Sequence, residues 1–194
     1  MHDRDAMDFE EPLEPPRKTR KSIEAPFHAH EFTFSTYHKR PVLLNCGVPE
    51  IVLGALDEAR HKFDFLINAY VVMPDHVHVL IRPRAEAYSI GRILQAIKGN
   101  TSRRVFQHEP ALREVMAVRP PQHGVAHRLW QAGGGYDRNF VTSKAAWAAI
   151  GYIHRNPVRR QLCDELVDWP WSSAWAYEVG EPPIAVDVCD WHSY

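Results

Sequence analysis

Cysteine is scarce in this chain of 194 residues: there are three, Cys46, Cys163 and Cys189, widely separated and in no metal-binding spacing. That argues against a disulfide framework and a cysteine-held zinc, and makes the reducing cytoplasm the expected compartment. Long apolar runs are missing too. None approaches the roughly 20 residues that span a bilayer, so no membrane association is expected. The N-terminus, MHDRDAMDFEEPLEPPRKTRKS, lacks the basic start and apolar block of a secretory signal. Nor does one sign of charge dominate, with 23 Lys and Arg against 24 Asp and Glu. At 45% hydrophobic and 24% charged, the composition is that of a globular protein long enough for one domain.

The balance of charge hides an uneven distribution. Between Arg82 and Arg160 there are 14 basic residues and 4 acidic ones, so a basic middle lies between acidic flanks. Such a block suits either a polyanion laid across the surface or a solvated face. Residues 1–25, rich in Asp, Glu and Pro and then basic, cannot bury enough surface to offset ordering and are expected to form a flexible tail. Residues 26–177 are expected to fold, and 178–194 to form a C-terminal tail.

Within the folded part, EFTFSTYHKRPVLL alternates as a half-buried strand does. VPEIVLGALDEARHKF sets Val52, Leu56, Ala59 and Phe63 at helical spacing. INAYVVMP and HVHVLIRP read as a hairpin turning at MPDH. SIGRILQAIKGNTSRRVF forms a helix capped by Ser89. Residues 108–126, with three prolines and little periodicity, read as a loop or insertion. RLWQ is a candidate fourth strand and GGGYDRNF a glycine turn. SKAAWAAIGYIHRNP is a helix capped by Ser143 and ended by Pro157. The order β-α-β-β-α-β plus a last helix implies an α+β domain: a ferredoxin-like antiparallel sheet with helices on one face.

His76 and His78 are two apart on a strand, so both imidazoles leave the same face while Val77 and Val79 point into a core. Such a pair either chelates a divalent ion or makes ordinary hydrogen bonds at the start of a hairpin. His28 and His30 repeat the spacing, but next to the expected tail. On the late helix, Tyr152 precedes Asn156 by one turn, with the small Ala148 and Ala149 on the same side and Arg155 and Arg159 flanking. A tyrosine so placed is either a core aromatic or, beside a cation and arginines, a nucleophile for a phosphodiester. Tyr136, in the glycine-rich stretch, is a weaker rival for that role.

Four segments in order, VMPDHVHVLI, WQAGGGYDRNF, YIHRNPVRRQL and DWPWSSAWAY, resemble the single-tyrosine HUH transposases, and most of all their REP-associated tyrosine transposases. The resemblance spans about residues 69–177. It implies the HUH endonuclease fold, with Mg²⁺ or Mn²⁺ held by His76 and His78. It also implies Tyr152 as the nucleophile that attacks single-stranded DNA bearing hairpin or palindromic repeats. Many relatives place glutamine four residues after the tyrosine as a third ligand; here the position is Asn156, with the same amide oxygen on a shorter arm. The implied product is a 5′-phosphotyrosine and a free 3′-hydroxyl, and the implied setting is the cytoplasm, at the nucleoid. Relatives act as a monomer or a homodimer.

Lys98, Arg103, Arg104 and Arg138, together with Arg155 and Arg159, are candidates for the cationic track of a single strand, or simply solubilise helices. Trp169, Trp171 and Trp175 either stack on unpaired bases or pack a terminal helix, the second being favoured. A module that binds nucleic acid without cutting it stands as the alternative to a transposase.

Overall fold

The computed structural model describes residues 28–118, 126–178, 180 and 182–188; the expected N-terminal tail lies outside them. Its elements are β1 (Ala29–Ser35), α1 (Val48–Phe63), β2 (Phe65–Val72), β3 (His76–Pro83) and α2 (Ile90–His108). These are followed by α3 (Leu112–Val115), β4 (Ala117–Val118), β5 (Ala126–His127), β6 (Tyr136–Phe140), α4 (Ser143–Arg159) and α5 (Ala174–Glu178).

Side-chain alternation along β3 explains the layering. Val77, Val79 and Ile81 join a core with Phe32 and Phe34 of β1 and with the apolar stripes of α1 and α2. Leu80 points the other way, into a second core built by Ala69, Val71, Phe140 and the α4 residues Ala146, Ala149, Ile150 and Ile153. Each fully buried aliphatic or aromatic side chain contributes about 1.5–3 kcal/mol, so both faces of the sheet are held by burial. The strand order is β2-β3-β1-β6 with every neighbouring pair antiparallel, the ferredoxin-like arrangement expected. β3 is therefore central and covered on both sides, which is why it reads as an almost unbroken apolar run. His76 and His78 are the exceptions in it.

The helices divide between the faces. α1 and α2 pack on one, as anticipated, but α4 lies on the other, against β2 and β3. The reason is the buried stripe of α4, whose alanines let the helix approach the small side chains of β1 and β2.

Several local expectations are revised. RLWQ is not a strand: Trp130 makes an isolated bridge to Thr36, and its ring packs edge-on to Phe34 at 4.9 Å. The fourth strand is instead Tyr136–Phe140, so Arg138 sits on a sheet edge rather than in a turn. It starts just after Gly135, where φ is +70° and a Cβ would stand 2.2 Å from Thr33 O, so glycine is required for β6 to reach β1. In α4, Thr142 is the cap, accepting from Ala145 N–H, and the helix continues past Pro157 to Arg159. Proline in the last turn forfeits one hydrogen bond without ending the helix. Part of the 108–126 stretch is ordered as α3 and the small β4–β5 pair. Beyond α5, Asp187 exchanges hydrogen bonds with Ile67 along the outer edge of β2.

The tryptophans near the C-terminus pack. Trp169 is buried with its indole N–H donating to Val72 O at 3.0 Å, and Trp175 donates to Val167 O at 2.7 Å. His154 points away from the β3 imidazoles: its ring is buried, with Nε2 2.8 Å from Ser173 Oγ, and burial pushes its pKa down to about 4. The unfolded chain takes up a proton there below the ordinary histidine value near 6.5 while the folded state refuses it until about 4. Stability should thus fall as pH drops through that window, by roughly 3 kcal/mol from this group. Urea midpoints measured at pH 7 and pH 4.5 should differ in that direction, with a smaller drop for His154→Gln; equal drops in the two proteins would exclude the assignment.

Candidate active site

The site is the face of the sheet that carries His76 and His78. Both imidazoles are buried, with Nε2 atoms 3.1 Å apart and ring centroids at 4.9 Å. Their other nitrogens are held from behind. His76 Nδ1–H donates to Asp75 Oδ1 at 2.7 Å, and His78 Nδ1 is 2.8 Å from Thr33 Oγ1. Thr33 is directly opposite His78 in the β1–β3 register, so the strand pairing itself positions the hydroxyl. A hydroxyl both donates and accepts. It can therefore serve His78 while Nε2 carries a proton towards His76, or while both Nε2 lone pairs are offered to a cation. Burial depresses the His76 pKa, against the opposing pull of Asp75, and so favours a neutral ring. Neutral imidazole with its far nitrogen anchored to a carboxylate is the usual arrangement of a metal-binding histidine.

Tyr152 reaches this pair from α4. Its ring centroid is 5.7 Å from that of His78, edge to face, within one chain. The phenol is 42% exposed, unlike a core aromatic, while its helical neighbours Ala149 and Asn156 are buried. Asn156 Nδ2 donates to Tyr152 O at 3.0 Å, leaving Oδ1 as the amide's acceptor. The helix continues through Pro157, so the aversion of residues before proline to helical geometry is overridden here. Arg159 lies over the Tyr152 ring at 5.2 Å, and Arg155 folds back near Gly151. A cleft of about 500 Å³ runs from His78 and Tyr152 between α4 and β6, with Arg138 on its far wall.

Not every candidate is gathered here. Lys98, Arg103 and Arg104 belong to α2, on the opposite side of the sheet. The Lys98 ammonium donates to Gln131 O and Gly133 O, both at 2.8 Å, and so secures the glycine loop before β6. Arg104 pairs with Glu58 of α1 at 2.7 Å, and Arg103 is exposed. Of the rival residues, Tyr136 faces the same cleft as Tyr152, whereas His30 is buried on the other face, 2.8 Å from Tyr88 Oη.

Four groups at the site escaped the sequence reading. Asp75 was adjacent to the pair and legible in PDHVH. Arg160, with Nη1 3.7 Å from Asp75 Oδ1, directly follows Arg159. Thr33 and Glu31 come from β1, and only the pairing of distant strands brings them here; Glu31 Oε1 is 3.6 Å from His78 Nδ1. Among the described residues no cluster of three or more His, Cys, Asp and Glu is arranged to hold a metal, so a third protein donor would have to be of another kind. None of their helices is long and apolar enough to cross a membrane.

Residues 27–144, well over half of the chain, match the family model described as "Transposase IS200 like"; the match includes both imidazoles and stops short of Tyr152. Among solved structures, the chain is similar to a REP-associated tyrosine transposase bound to a REP hairpin, with a TM-score of 0.64 and 20% identity over 89% of this chain and 94% of that one. That likeness establishes a shared fold. A crystal structure named as a candidate transposase from Deinococcus radiodurans r1 aligns with a TM-score of 0.46 and 24% identity over 72% of this chain and 96% of that one. No curated protein matches the chain.

If Asp75 orients His76 for a cation, Asp75→Asn should weaken Mn²⁺ binding roughly 10- to 100-fold while the fold is retained. Isothermal titration calorimetry checks this, and an unchanged affinity would remove Asp75 from the site.

Proposed function

The chain belongs to the IS200-like transposase family, and from that premise we propose that it is a metal-dependent single-stranded DNA transesterase of the REP-associated kind. It cleaves and rejoins hairpin-bearing DNA through a 5′-phosphotyrosine on Tyr152. The observation that carries this reading is the 5.7 Å approach of the Tyr152 ring to His78 within one chain. A hairpin-bearing substrate is supported by the similar solved structure, which is bound to a REP hairpin. Residues 26–177 act as the catalytic domain.

The donor set suits Mg²⁺ or Mn²⁺. Two buried Nε2 atoms 3.1 Å apart, each with its Nδ1 anchored from behind, make a ready bidentate pair. Asn156 Oδ1 would be the third protein donor, and His76 and His78 the first two. Bound there, the ion would supply Lewis-acid polarisation of the scissile phosphate and offset the charge that develops on it.

The remaining steps belong to the chain's own groups. Tyr152 Oη forms the new P–O bond in line with the departing 3′ oxygen. Its phenol proton passes to solvent, to which the half-exposed ring has access, and the 3′ oxygen takes one up to leave as a hydroxyl. His154 is not the base, since it is buried and bonded to Ser173. Arg159, stacked over the ring, favours the phenolate as it forms and offers donors to the phosphate oxygens, with Arg155 beside it. Arg138 receives backbone phosphate across the cleft. The covalent ester retains the energy of the broken bond, so the free 3′-hydroxyl can reverse the step on the same or a new end without ATP.

The alternative, a module that holds structured DNA without cutting it, predicts binding indifferent to chelation and no consequence of losing Tyr152. Incubated with Mn²⁺ and a labelled single-stranded repeat element, wild-type protein should give a covalent adduct on a denaturing gel, and Tyr152→Phe none. An adduct formed by Tyr152→Phe would refute the assignment, and none from wild type would favour the binding module. His78→Ala should lose metal-dependent cleavage by at least two orders of magnitude yet bind the DNA nearly as well as wild type. Cleavage unaffected by that change would contradict the metal role.

A further inference from the structure

Glu31 makes no hydrogen bond among the described residues, and its carboxylate opens on the cleft rather than being sealed in protein. Its side chain is 7% exposed, yet it lines the cleft between β6 and α4. Among the described residues its polar neighbour is His78 Nδ1 at 3.6 Å, beyond hydrogen-bonding range, and that nitrogen already has Thr33 at 2.8 Å. Arg138 stands opposite Glu31 in the β1–β6 register but lays its guanidinium over the Phe140 ring, 4.9 Å away. A ligand that fills the cleft takes water away from this carboxylate, which costs binding unless the ligand brings donors to it. Metal ligation does not account for it, because Glu31 approaches the Nδ1 side of His78, away from the Nε2 pair.

The rest of the cleft has the form of a base slot. Ala145, Ala148 and Ala149 of α4 give it a low wall, and Tyr136 of β6 presents a ring that is 47% exposed. A volume of about 500 Å³ admits a nucleotide. Aromatic faces hold unpaired bases by stacking, which is tolerant of sequence, whereas hydrogen bonds to base edges choose among them. A carboxylate only accepts. Of the four bases, guanine alone puts two adjacent N–H donors on its Watson–Crick edge. Adenine and cytosine set one donor beside a ring-nitrogen acceptor, and thymine sets one between two carbonyls.

We propose that this cleft receives one unpaired guanine of the DNA strand, its N1–H and N2–H donating together to the two oxygens of Glu31 while Tyr136 stacks on the ring. The inference rests on the reading of Tyr152 as the cleaving residue: the slot ends at that phenol, so the base it holds sets which phosphate is presented. Glu31 is thus a specificity-determining residue, and Tyr136, a poor nucleophile candidate, a stacking platform.

The test measures binding without chemistry. Fluorescent pentathymidylates carrying guanine, hypoxanthine, cytosine or thymine at the centre are titrated with the full chain in EDTA, and affinity is read by anisotropy. Hypoxanthine lacks only the 2-amino donor, so guanine should bind at least ten-fold more tightly than hypoxanthine or thymine. Glu31→Gln should shrink that preference to within about three-fold while affinity for the thymine-centred strand stays within about two-fold of wild type. Equal binding of guanine and hypoxanthine by wild type overturns the proposal, and that comparison needs no variant to fold. So does a Glu31→Gln protein that loses affinity equally for all four strands. A guanine preference with no covalent adduct would sink the cleavage reading and leave the slot; an adduct without preference would do the reverse.

Discussion

The arrangement depends on how α4 docks. Two imidazoles on the central strand of a sheet covered on both faces need a gap in that cover, and the alanine-rich face of α4 supplies it. Ala146 and Ala149, with Ile150 and Ile153, bury against β2 and β3 and anchor the helix. Asn156 is buried as well, and Tyr152, on the flank between Ala149 and Asn156, is left partly in solvent beside His78. Larger residues at the alanine positions would lift the helix and with it the phenol. Burial energy spread over a whole helix face therefore sets a distance on which the proposed bond-forming step depends.

A line of polar contacts runs beneath that apolar clamp. Arg160 leans on Asp75, Asp75 holds His76, His76 meets His78, and His78 rests on Thr33. Asp75, His76 and His78 each meet a group on either side, which helps polar groups tolerate burial, while Arg160 at one end is half-exposed. Glu31, beside the line, approaches His78 Nδ1 at 3.6 Å but makes no hydrogen bond among the described residues. On the proposal above, it is the group left for a bound base to pair.

Much of this was legible from residue order. The α1 and α2 helices, the MPDH hairpin and the late helix all follow from local periodicity and punctuation, and the His–x–His face follows from alternation alone. The single-chain meeting of Tyr152 and His78 and the opposite-face position of α4 were not legible. The order of elements fixes a topology but not which side of the sheet an extra helix covers. β6 was missed because three glycines before it suggest a turn, although Gly135 is there to let β6 close on β1. Thr33 and Glu31 were missed because a register between distant strands leaves no local mark. Lys98, Arg103 and Arg104 are basic residues like those near Tyr152, and only the fold separates a cation engaged by loop carbonyls from one beside the phenol.

The central claim is that the phenol and the imidazole pair of one chain form one site. Mixing two inactive variants tests it directly. Tyr152→Phe lacks the proposed nucleophile and His78→Ala half of the proposed metal pair, so in a single-chain site neither can repair the other. With wild type as the positive control for the covalent DNA adduct, an equimolar mixture of the two should give none. An adduct restored in the mixture, carried on the His78→Ala chain, would show that tyrosine and histidines act across a pair of chains and would contradict the account.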